Sequence, residues 1–107
     1  MTDQDLKNKV VNTLLNKRVT GSNKTSIDTL LNYSVRDSEQ GKARELLNDE
    51  MLPNAEASIQ QVGGGARENV QLADVKEAVR YLYEHGGDVP WGFREYIEDD
   101  WEPPEDE

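Results

Sequence analysis

Apolar residues recur at helical spacing in four stretches of the chain and alternate in one short stretch. Leu6, Val10, Leu14 and Leu15 fall at i, i+4, i+8 and i+9, one face of a helix from about Asp3 to Arg18. Asp3 and Asp5 open that helix and Lys17 and Arg18 close it, each charge matching its end of the helix dipole. VTGSNKTS follows and reads as a loop. Ser26 then caps a short helix carrying Ile27, Leu30 and Leu31, which fades near Tyr33 and Ser34. In VRDSEQGKARELLNDEML, Ala43, Leu46, Leu47 and Met51 make a third stripe, with Asp37 or Ser38 as its cap and Pro53 as its stop. Asp74-Val75-Lys76-Glu77 reads as a capping box with Asp in the cap position. Val75, Ala78, Val79 and Leu82 continue it as a last helix. His85 lies in its final turn and Gly86-Gly87 end it.

Between the third and last helices the pattern changes to SIQQVGGGARENVQL. Three of the chain's 8 glycines stand together there, at Gly63, Gly64 and Gly65. A helix does not accommodate them, since each costs about 1 kcal/mol against alanine. The flanking Ile59, Val62, Val70 and Leu72 do not suit a flexible linker. A phosphate-binding loop needs spaced glycines before a helix, or a Gly-Lys-Ser/Thr ending, and VGGGAR has neither. The remaining reading is a hairpin, with glycine supplying positive φ at the reversal and Ile59–Val62 antiparallel to Asn69–Leu72. Ile59 and Val62 would then point to opposite faces unless a bulge intervenes.

The resulting order is helix, helix, helix, strand, glycine turn, strand, helix. Over residues 5–85 it resembles the winged helix-turn-helix family. SIDTLLNYSVRDSEQGKARELLNDE is similar to that family's two-helix unit, VRDSEQGKARELL to its recognition helix and SIQQVGGGARENVQL to its wing. The resemblance implies an α+β, mostly helical fold over residues 1–87: three helices, a β-hairpin wing and a C-terminal helix. It also implies duplex DNA as partner, bound by a transcription regulator or accessory factor. Arg36 and Arg44 would then face phosphate, with Ser38, Gln40 and Lys42 near base edges in the major groove. Arg67 in the wing would touch a backbone phosphate. Gly41 lies inside the recognition segment, and Asp37, Glu39 and Glu45 interleave with its bases. That mixture equally suits a solvated helix with local ion pairs. Winged helices also serve as protein adaptors, so a protein-interaction module is the alternative.

Charge is distributed unevenly. The 107 residues carry a net charge of −10. Residues 88–107 hold nine acids and one base, and so account for −8 of it. The remainder is a near-neutral body. Such an acid surplus suits a halophilic source. Residues 99–107, DDWEPPEDE, have the composition of a disordered acidic tail, one that repels DNA, competes for a basic patch or is presented to a protein partner. Residues 88–98 form an aromatic extension in which Trp91, Phe93 and Tyr96 either fold back on the core or make an interface between two copies. The chain has no cysteine, which excludes disulfides, a thiol nucleophile and cysteine-ligated metal. His85 is the only histidine, and nothing marks a nucleophile or an orienting carboxylate beside it. No catalytic residue, metal ligand or cofactor is expected. Without a run approaching ~20 apolar residues or a signal peptide, a soluble cytoplasmic protein is the expectation, with no membrane partner.

Overall fold

The structure, a computed structural model, describes residues 2–21, 23–62 and 69–93. Helix α1 (Asp3–Asn16) begins with a reciprocal cap. The Thr2 hydroxyl accepts from the Asp5 amide at 3.0 Å, and the Asp5 carboxylate accepts from the Thr2 amide at 3.2 Å. The helix stops short of Arg18, which takes a left-handed φ of 52°. The Val19 amide turns back to the Leu14 carbonyl at 3.0 Å, and Val19 enters the core.

The expected loop after α1 contains a strand, β1 (Thr25–Ser26). Two residues have no periodicity to read; β1 exists because it pairs with a strand far along the chain. Ser26 then caps α2 (Ile27–Ser34), accepting from the Thr29 amide at 3.1 Å. The third helical stretch differs from the expected single capped helix. A 3₁₀ turn (Asp37–Glu39) leads into α3 (Gln40–Leu46), and a π-helical turn (Leu47–Met51) prolongs it. Neither Asp37 nor Ser38 caps α3, because the 3₁₀ turn already bonds the entering amides, Glu39 to the Arg36 carbonyl at 2.9 Å.

Strands β2 (Ile59–Val62) and β3 (Asn69–Leu72) pair antiparallel, as the apolar pattern anticipates. The register runs without a bulge from Ile59–Leu72 to Val62–Asn69, so alternation alone buries Ile59 and leaves Val62 half-buried. The sheet order is β1-β3-β2, all antiparallel. The three glycines and Arg67 lie outside the described residues. Helix α4 (Val75–Glu84) is capped by Asp74, whose carboxylate accepts from the Lys76 amide at 2.9 Å. The reciprocal half of the expected box is replaced: the Asp74 amide donates to Ser58 Oγ at 3.0 Å.

Among the described residues the fold is thus α+β, four α-helices with a small antiparallel sheet. Helix α1 packs against α2, α3 and α4 at once. Its Val11 and Leu14 meet Leu31, Leu47, Val70 and Leu82 in a single core in which each of these residues is fully buried. A fully buried aliphatic side chain of this kind contributes roughly 1.5–3 kcal/mol, which is what holds helices of 7 to 14 residues.

Candidate functional site

Five of the six residues expected to touch DNA lie in or just before α3, and the fold gives three of them intramolecular partners. Arg36 and Ser38 are exposed at the approach to α3. Gln40, its first residue, donates its amide to Asn32 of α2 at 3.1 Å and to Asp37 at 3.2 Å. The Lys42 ammonium stands 3.8 Å from Asp3 of α1 and 3.8 Å from Glu45. The Arg44 guanidinium is paired with Asp28 in the first turn of α2. α3 buries Ala43 and Leu46 against α1 and α2, and this packing carries Lys42 and Arg44 to carboxylates distant in sequence. Arg67 lies outside the described residues.

Of the proposed interface residues, Phe93 is 5% exposed and packed on the core, with the Arg18 guanidinium 4.9 Å from its ring centre. It takes the core-side position of the two considered from sequence. Trp91 starts a 3₁₀ turn (Trp91–Phe93), and Tyr96 lies outside the described residues, as does the 99–107 tail. His85 caps the end of α4, its ring Nδ1 2.8 Å from the Tyr81 carbonyl oxygen.

A cluster that sequence inspection did not single out joins α1, the turn after α3, and α4. The Lys7 ammonium lies 2.7 Å from Glu50 and 3.1 Å from Glu56, and Lys7 as a residue is only 9% exposed. The Tyr81 hydroxyl donates to the same Glu56 oxygen at 3.1 Å and accepts from the Gln4 amide at 3.0 Å. Burial alone would lower the Lys7 pKa. The hydrogen bonds to Glu50 and Glu56 outweigh it and hold the ammonium above its usual 10.5. Burial raises the Tyr81 phenol above its usual value, and the hydrogen bond from Lys7 holds Glu50 below the usual carboxylate range. Glu56 belongs to an unusual backbone segment: Ala55, Ala57 and Ser58 all have left-handed φ, between 52° and 59°. Each such non-glycine residue costs about 1–2 kcal/mol. Lys7 neighbours Leu6 on α1 and resembles any solvated helix lysine, so no local signal marks the cluster.

A cleft of about 540 Å³ separates α1 from the end of α2 and from Gly86–Asp88. Four of its polar side chains already serve the fold. Asn8 donates to the His85 carbonyl at 3.2 Å, Asn12 to the Asp88 carbonyl at 2.7 Å, Thr13 to Lys9 and Ser34 to Leu30. Such an arrangement joins helices and offers few convergent donors to a ligand.

No family model, curated protein or solved structure matches this chain. Among the described residues, no helix is long and apolar enough to cross a membrane, and no three carboxylate or histidine side chains are grouped to hold a metal ion.

Proposed function

We propose that the protein is a winged helix module that acts as an adaptor through protein contacts rather than as a reader of duplex DNA. The order α1-β1-α2-α3-β2-β3, with β3 central in the sheet, supports the winged helix reading. The charge around α3 carries the choice of partner. Residues 36–50 contain three bases and five acids. Glu50 is engaged with Lys7, while Asp3 and Asp28 reach Lys42 and Arg44 from neighbouring helices. A cation drawn from its carboxylate to a phosphate would leave that carboxylate behind, well within the ~10 Å screening length at 0.1 M salt. Phosphate contacts dominate DNA affinity, so a surface with more acids than bases starts at a disadvantage.

One observation favours DNA as the second reading. Arg36 and Ser38 are exposed where α3 begins, and the ion pairs of Lys42 are long, exposed and of the kind worth at most about 1 kcal/mol. Titration with random-sequence duplex at low and at physiological salt separates the two. The adaptor reading expects no saturable binding at either. Binding that falls steeply with salt, and is lost in both Arg36→Ala and Lys42→Ala, would overturn it.

A further inference from the structure

The link from α3 to the hairpin is the most constrained backbone among the described residues. Three of its four residues from Ala55 to Ser58 are left-handed without being glycine. Glycine adopts such angles without strain, and the chain places none of its 8 glycines here. Unfavourable conformations persist when their surroundings over-determine them, and here they are gripped from two sides. On one side Glu56, in the middle of the segment, is held by Lys7 at 3.1 and 3.4 Å and by the Tyr81 hydroxyl at 3.1 Å. On the other, Ser58 Oγ donates to the Asp74 carbonyl at 2.9 Å and accepts from the Asp74 amide at 3.0 Å, while the Ser58 carbonyl accepts from Ala73 at 2.8 Å. Ala57, between them, is 7% exposed.

The two grips differ in kind. Ser58 is tied by neutral hydrogen bonds to Ala73 and Asp74, where β3 passes into α4. Glu56 is tied to α1 through the Lys7 ammonium, which it shares with Glu50, and to α4 through the Tyr81 hydroxyl. Ile59, the first residue of β2, follows directly. A change of backbone angles at residues 55 and 57 therefore alters how the hairpin meets α3.

We propose that residues 55–58 are a loaded hinge: the Lys7 clamp on Glu56 holds its neighbours Ala55 and Ala57 left-handed, and opening the clamp lets them relax and shifts the β2–β3 hairpin relative to α3. The hinge does not depend on the adaptor reading, since it sets the spacing of two elements whichever partner meets them.

Backbone φ from NMR shifts and three-bond couplings tests this in two backgrounds. Lys7→Met in the natural chain should move Ala55 and Ala57 to negative φ and raise amide exchange in β2, with α1 and α4 core amides still protected. In an Ala55→Gly/Ala57→Gly background only Ser58 keeps a strained angle, and Asp74 holds it independently of Lys7; Lys7→Met should then leave the segment's conformation and the β2 exchange unchanged. Retention of left-handed φ after Lys7→Met would overturn the proposal, as would an equal change in both backgrounds. Should Lys7→Met unfold the chain, Glu56→Gln weakens the clamp without removing the buried lysine, and the same two outcomes decide.

Discussion

Gly86 and Gly87 occupy adjacent positions and read alike in sequence, as the end of a helix, yet their physical roles differ. Gly86 has φ 75° and open space where a Cβ would stand. It is the left-handed residue that closes α4. At Gly87 φ is unexceptional, but an added Cβ would lie 2.8 Å from Leu82 Cδ2 and 3.0 Å from Asn8 Cβ. Gly87 is where α1 and the end of α4 approach closely. Gly86→Ala should cost about 1–2 kcal/mol through its backbone angle. Gly87→Ala should cost about 1–3 kcal/mol through crowding. Urea unfolding of the two variants measures both. The roles separate in a further step: adding Leu82→Ala, which empties the crowded space, should shrink the Gly87→Ala penalty and leave that of Gly86→Ala unchanged. If both penalties respond equally, the assigned contact is wrong.

At the scale of elements, the Lys7 clamp joins residues 25 to 49 positions apart in the chain, and its ionisation predicts when the join weakens. Glu50 has a depressed pKa, so its contribution is present above its usual 4.5 and is lost as pH falls through the lower folded-state value. Lys7 has a raised pKa, so its contribution is complete below 10.5 and is lost as pH rises through the higher folded-state value. Burial of the Tyr81 phenol is common to both chains and cancels in the comparison. The stability difference between the natural protein and Lys7→Met should therefore be constant from about pH 5 to pH 10 and diminish on either side. Denaturant midpoints across that range test it. A difference that is flat from pH 3 to pH 12 would show that Lys7 stabilises by packing its aliphatic stem alone.

At the scale of the whole molecule, 22 acids face 12 bases. The compact state concentrates this charge and repels itself, and the screening length falls from about 10 Å at 0.1 M salt to about 3 Å at 1 M. Thermal stability should rise over that interval of salt. Deleting residues 99–107 removes six acids, so the truncated chain should melt higher at 0.1 M and gain less from added salt. Melting curves of both chains at the two salt concentrations are sufficient. An identical salt response would mean that the tail's charge does not act on the folded body.

The chain's own periodicity determined the four helical faces and the two hairpin strands, because burial of one face leaves a mark at every turn. Leu6, Val10 and Leu14 are buried as their spacing requires, and Ile59–Val62 pairs with Asn69–Leu72. Ser26 and Asp74 cap α2 and α4 because a cap needs only residues within three positions. Periodicity states which face is covered and is silent about what covers it. β1 is two residues made into a strand by β3. The Arg44–Asp28 pair and the Lys7 cluster form only when helices are brought side by side. The left-handed angles at Ala55, Ala57 and Ser58 run against local preference, so only contacts made from elsewhere in the fold can hold them. The candidate surface on α3 was legible as a set of residues. Its electrostatic character was decided by the carboxylates that tertiary packing placed beside them.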